Sequence, residues 1–231
     1  MDNQKQIWEN FWQQHDYTAE YEIKEYHWDI KNVIEDFCKQ AQTSIEIGSG
    51  IGITSLILSD KLQCPLLDFD KGVLQKASSL FEWKQKKAQF ICCDMFHLDT
   101  VKEKYDVVFN SGVIEHYNVK QRVMLLREYQ KVLKQGGVMV IAVPNHYCIP
   151  YKLGYVILRF LGRWKYPKEY AIKDLSFELQ DMDLYCTDIV ITSDNLIEDS
   201  IGNKYLKRLY HYLKMIFKFQ GYLRIFIIKN K

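Results

Sequence analysis

The stretch Ser44-Ile45-Glu46-Ile47-Gly48-Ser49-Gly50-Ile51-Gly52-Ile53-Thr54 decides the fold. Ser44–Ile47 reads as a short buried strand, and a helix opens near Gly52. Glycines at 48, 50 and 52 let the backbone turn sharply and come close to a ligand. The helix start behind them offers free N–H groups and the positive end of the helix dipole. A dinucleotide loop reads G-x-G-x-x-G and would need its third glycine at position 53, which is Ile53. No Gly-Lys-Ser/Thr follows, so this is not a P-loop.

Outward from the loop the same rhythm repeats. Apolar runs stand at Pro65–Phe69, Gln89–Cys93, Tyr105–Asn110 and Val138–Val143. Helical patterns lie between them at Ile53–Lys61, Gly72–Trp83 and Val119–Leu133. In the last, Val119, Val123, Leu126, Tyr129 and Val132 recur at helical spacing, and Gly136-Gly137 is expected to stop that helix. Short strands alternating with helices predict βαβ units and a parallel sheet. Two later strands are expected at Asp188–Thr192 and Tyr222–Lys229, with a helix over about 203–219 between them. That helix is predicted to pack Leu206, Leu209 and Leu213 on the core and to turn its lysines to solvent.

Two regions flank this block. Residues 1–40 look helical and carry Trp8, Phe11, Trp12, Tyr17, Tyr21, Tyr26 and Trp28. Trp8, Phe11 and Trp12 fall on one helical face, as a packed helix or as a lid. Pro144–Asp183 holds three of the four prolines and breaks the rhythm. An insertion past the C-terminal end of a strand is where an α/β fold keeps its substrate contacts. The expected organisation is a helical cap over 1–42 and a main domain over 43–231, with a substrate-side insertion at about 146–183.

Composition narrows the class. Hydrophobic residues at 48% and charged residues at 26% exclude disordered and low-complexity chains. A chain of 231 residues buries enough surface to fold without staples. Net charge is only +2, so the whole chain makes no case for nucleic acid. The charge is uneven, because Ile201–Lys231 carries eight Lys/Arg and no acid. Six cysteines without a C-x-x-C pair predict reduced thiols rather than zinc or disulfides. A polar N-terminus and the lack of an 18-residue apolar run predict a cytoplasmic location and no membrane span. The basic amphipathic pattern near the C-terminus still allows peripheral contact with a membrane surface.

Acids close the first three strands: Glu46 within the first, Asp68 at the end of the second and Asp94 after the third. Asp68 follows Gly48 by 20 residues, where a carboxylate accepts both hydroxyls of a ribose. Asp94 can accept from an adenine amino group, with Met95 beside the ring. Together these describe an adenosine site without a phosphate loop.

In these motifs the chain resembles the class I S-adenosylmethionine-dependent methyltransferases. Glu46–Gly52 is similar to the family's first motif, and Asp68 with Leu74 and Ala77 to its second. Cys93-Asp94 stands where many members have Gly-Asp. Leu133–Asn145 is similar to the fifth-strand motif, with Gln135 where proline is common. The resemblance implies a Rossmann-like α/β fold: a seven-stranded, mostly parallel sheet with helices on both faces, an antiparallel last strand and an N-terminal helical lid. It implies S-adenosyl-L-methionine as cofactor and S-adenosyl-L-homocysteine as product. Cofactor contacts are implied at Glu46, Gly48, Ser49, Gly50 and Gly52, then at Asp68 and Phe69, at Asp94 and Met95, and at Asn110 and Ser111.

Glu115-His116 follows the fourth strand, where part of the family, quinone-ring O-methyltransferases included, carries the same pair. His116 is the candidate catalytic base, or a pocket wall; His146 is a second candidate. Glu115 and His116 alone do not complete a metal site, and no metal is expected. The expected activity is methyl transfer to the oxygen or nitrogen of a small-molecule acceptor. The alternatives are a non-catalytic module that binds the adenosyl cofactor or a partner, and a nicotinamide-dependent oxidoreductase, which the missing glycine at 53 disfavours.

Overall fold

Parity sorts the side chains of the central sheet onto two faces. A computed structural model describes residues 2–14 and 21–230. Its strands are β1 (Ser44–Ile47), β2 (Leu66–Asp68), β3 (Phe90–Cys92), β4 (Tyr105–Ser111), β5 (Leu133–Pro144), β6 (Leu184–Thr192) and β7 (Leu223–Asn230). In β4, Val108 points into a layer with Leu125, Leu126 and Tyr129, whereas Val107 and Phe109 point into one with Ile30 and Ile34. Both faces are buried, so these strands read as continuous apolar runs rather than alternating ones.

The sheet order is β3-β2-β1-β4-β5-β7-β6. β1 to β5 pair in parallel, and β7 runs antiparallel to both β5 and β6. The seven-stranded sheet with its antiparallel last strand is the one the motifs led us to expect. Pairing of β6 with β7 slips between Cys186 and Asp188.

The helices are α1 (Asp2–Gln14), α2 (Glu25–Phe37), α3 (Ile53–Leu58), α4 (Lys71–Trp83), α5 (Val119–Lys131), α6 (Ile149–Phe160), α7 (Ser176–Leu179), α8 (Leu196–Asp199) and α9 (Lys204–Phe217). Asp70 caps α4 by accepting from the Gly72 and Val73 amides. Asn118 and Gln121 form a reciprocal capping box on α5. α2 packs Ile30, Val33 and Ile34 into the sheet, so it belongs to a core layer, although Tyr26 and His27 at its start join α1 in lining the open end. Tyr17 lies outside the described residues.

Two expectations are corrected. Gly136-Gly137 does not stop the helix, which ends at Lys131; both glycines lie inside β5, which begins at Leu133 rather than Val138. Gly136 has φ +74° and Gly137 leaves no room for a Cβ beside the Asp106 carbonyl, where pairing with β4 slips between Tyr105 and Val107. A glycine pair serves a strand irregularity as well as a helix stop, and the local sequence does not separate them. The second correction is α9, which buries none of its residues: Leu206, Leu209, Ile216 and Phe217 are each more than half exposed.

Candidate active site

The C-terminal ends of the parallel strands open onto a cavity of about 490 Å³. Its floor is the glycine loop, where Gly48, Gly50 and Gly52 have φ of +68°, +54° and +70°. The Gly50 amide donates to Asp68 Oδ2 at 2.9 Å, and the Asp70 amide to Oδ1 at 3.0 Å. The loop and the end of β2 are thus tied through one carboxylate. Burial pushes Asp68 up to about 6. Glu46 faces the helix behind the loop, where Ser55 donates to its Oε2 from both amide and hydroxyl, at 3.2 and 2.5 Å. Burial raises it to about 7.

Asp94 lies past β3. Burial alone would raise its pKa, but the Lys5 ammonium at 2.7 Å and the Phe96 amide at 3.0 Å hold it low. Phe69, Met95, Ser49 and Ser111 line the same cavity. Asn110 does not: it is fully buried, and its Nδ2 donates to the Tyr129 hydroxyl at 3.0 Å. Of the expected cofactor contacts, the structure therefore brings Glu46, the loop, Asp68, Phe69, Asp94, Met95 and Ser111 together and leaves Asn110 in the core.

α1 closes one side. Lys5 pairs with Asp94, Gln4 Nε2 donates to the His116 carbonyl at 2.5 Å, and Trp8 stands edge-on to the His116 ring at 5.4 Å. The Trp12 ring lies 2.6 Å from where a Cβ on Gly50 would be. The aromatic face read from the sequence is thus turned toward the loop.

The far end of the cavity is polar and buried. Glu115 and His116 sit on a single turn at the mouth of β4, 1% and 3% exposed. The Lys168 carbonyl lies 3.3 Å from His116 Nδ1; it can only accept, so Nδ1 carries the proton and Nε2 keeps its lone pair. Nε2 is 3.7 Å from Glu115 Oε1. Burial lowers the His116 pKa, favouring neutral imidazole. Sequence reading missed Glu169, whose Oε2 accepts from Tyr151 at 2.7 Å and meets His146 Nε2 at 2.8 Å. His146 therefore touches Glu169 and does not itself line the cavity. Glu169 stands 54 residues past Glu115 in an irregular segment, and no spacing rule reaches it.

Residues 45–137 match a sequence family described as a methyltransferase domain. The chain carries a methyltransferase domain. The resemblance drawn from the motifs holds, and with it the reading of the chain as an enzyme. Among solved structures, a SAM-dependent methyltransferase from Clostridium acetobutylicum aligns with TM-score 0.63 at 12% identity, over 96% of this chain and 98% of that one. Magnesium protoporphyrin IX methyltransferase from Synechocystis, solved with SAH, gives 0.61 at 13% over 92% and 90%. The N-methyltransferase NodS from Bradyrhizobium japonicum, also with SAH, gives 0.59 at 14% over 89% and 86%. At these identities the likeness is one of fold. The matched methyltransferase domain runs from β1 to Gly137 in β5. α1 and the insertion after β5, which wall the far end of the cavity, lie outside it.

Proposed function

We propose that the protein transfers a methyl group from S-adenosyl-L-methionine to the oxygen or nitrogen of a small-molecule acceptor, in the cytoplasm, leaving S-adenosyl-L-homocysteine. The observation that carries this is Asp68, buried at the cavity floor with one backbone amide on each oxygen and lone pairs left over. A ribose diol is the partner such a carboxylate fits. The glycine loop suits the same group, because side chains at 48 and 50 would fill the space beside Val113 and Trp12. Asp94 and Met95 would hold the adenine, and Glu46 steadies the loop from behind. The cofactor supplies a methyl carbon already activated on a sulfonium.

What remains for the protein is to align the acceptor, keep water out and take a proton. The rings of α1 support a lid that excludes water. His116 supports the proton transfer, being neutral, at the mouth of β4 and free at Nε2. The six free thiols support a reducing compartment, and among the described residues no helix is long and apolar enough to cross a membrane.

A peripheral membrane partner is also proposed, on the exposed face of α9. Lys204, Lys207, Arg208 and Lys214 share that helix with its exposed apolar side chains, and no acid occurs after Ser200. An anionic bilayer surface complements both features. Cys148, which precedes α6, lies close enough to Tyr210 of α9 to add to the upward shift that burial gives the tyrosine hydroxyl. α6 adds Leu153, Ile157 and Phe160, all more than half exposed.

The test of the methyl-transfer reading is His116→Ala. We expect kcat to fall by about 10²-fold or more with cofactor affinity little changed. The wild-type rate should fall as pH drops through a limb below 6.5, where the imidazole gains its proton, and the variant should lack that limb. A variant that keeps full kcat and the limb places His116 in the wall.

A further inference from the structure

We propose that the methyl acceptor is an amine, held as its ammonium cation between Glu115 and Glu169 within the aromatic wall of the cavity. The inference rests on the methyl-transfer reading and narrows it.

Glu115 Oε2 is buried and has no hydrogen-bond partner. Glu169 is itself only 7% exposed. One donor atom from each of Glu115, His116 and Glu169 lies within 4.8 Å of the others. Among the described residues, neither carboxylate pairs with a lysine or arginine; His116 approaches Glu115, and His146 and the Tyr151 hydroxyl approach Glu169. Two carboxylates this close, both buried, repel each other, and a buried charge without a partner is costly. Burial, with Glu169 as the next contributor, holds Glu115 well above its ordinary pKa. In the empty cavity this favours the protonated Glu115 carboxyl, and a cation seated where the walls converge would favour its carboxylate.

The walls say which cation fits. Trp8, Tyr151, Trp164, Tyr166 and Tyr222 line this end. Trp8 lies tilted against Tyr166 and Trp164 edge-on to it, with ring centroids 5.9 and 5.4 Å apart, and Tyr151 meets Tyr222 edge-on at 5.0 Å. Ring faces attract an organic ammonium and supply little to a metal ion. Glu169 Oε2 already takes two partners, which leaves it suited to one further N–H donor rather than to the inner shell of a metal. A neutral hydroxyl acceptor brings no charge to set against the two carboxyl groups.

The same geometry readies the amine for reaction. An ammonium has no lone pair, so one N–H proton must leave first; His116 Nε2 receives it, and Glu115 at 3.7 Å stabilises the imidazolium. The freed nitrogen pair then forms the N–C bond as the C–S bond breaks, with that electron pair passing to sulfur. The N-methylated product departs as an ammonium, and His116 returns its proton to water.

The test uses the full chain saturated with S-adenosyl-L-homocysteine, near neutral pH, by titration calorimetry. The probes are phenethylamine, tyramine and tryptamine against their alcohols 2-phenylethanol, tyrosol and tryptophol. At least one amine should bind about tenfold or more tightly than its alcohol. Glu115→Gln and Glu169→Gln should erase that preference while homocysteine-product affinity and Tm stay near wild type. Phenyltrimethylammonium, a cation that accepts no methyl, should bind the unaltered protein and compete with the amine, which keeps the test independent of any variant. Alcohols binding as tightly as the amines, or all the amines failing to bind, overturns the proposal. So does tight binding of MnCl2 or ZnCl2 that both glutamine variants abolish, which would make the cluster a metal centre. Failure of S-adenosyl-L-homocysteine itself to bind breaks the methyl-transfer reading, and is seen before any amine is added.

Discussion

The cavity and the outer faces of α6 and α9 invert each other. Around the cavity, Glu46, Asp68, Glu115, His116 and Glu169 are all buried. On the two helices, Ile157 and Ile216 are more than half exposed and Phe160 is 89% exposed. Each arrangement costs free energy in isolation: a buried carboxylate loses its hydration, and an exposed apolar side chain keeps ordered water around it. The apolar layers on the two faces of the sheet are built from other residues. Groups that are misplaced for stability and kept together in space are placed for something else. In the cavity that is chemistry, and on α6 and α9 we propose that it is contact.

If this contrast is right, damage to one region leaves the other intact. The largest effect is expected from Gly50→Val. The residue has φ +54° and a Cβ would meet Trp12, so product binding should fall by about 10²-fold or more while the circular dichroism of the sheet is retained. Near-native affinity by calorimetry would break the account of the loop. Asp68→Ala comes next. It removes the acceptor for the ribose and for the Gly50 amide, and cofactor binding should weaken by about 1.5–3 kcal/mol. Neither change should alter behaviour toward membranes.

Ile216→Asp combined with Phe217→Asp probes the other region. Co-sedimentation with phosphatidylglycerol vesicles should drop about tenfold, and wild-type binding should weaken with salt, as cationic docking requires. Cofactor affinity should be unchanged. Equal sedimentation of variant and wild type would remove α9 from any bilayer. The smallest effect concerns α1: with S-adenosyl-L-homocysteine bound, its amides should exchange severalfold more slowly as the rings close on a filled cavity. Identical exchange would make α1 a fixed wall.

Much of the cavity floor was legible in the sequence because its parts are local. A strand, three glycines and a helix start lie within eleven residues, and Asp68 ends one apolar strand while Asp94 closely follows another. Asn110 misled because position along β4 says nothing of parity: it points away from the cavity, toward Tyr129. Glu169 was invisible for a different reason. It reaches Glu115 through an insertion with no periodicity, and only the folded chain brings them together. The exposed face of α9 failed in a third way, since an amphipathic pattern states that one face is apolar and not what covers it.

The slip between Cys186 and Asp188 has a consequence for how copies of this chain meet. An open sheet has two rims, and an unbroken rim is a template on which another chain can add a strand. Here one rim is β3, only three residues long, and the other is β6, nine residues interrupted by that slip. Neither offers a straight run of free amides and carbonyls. The most exposed apolar side chains stand instead on α6 and α9, whose backbone is already satisfied, and crowding through those helices would give reversible clustering rather than fibrils.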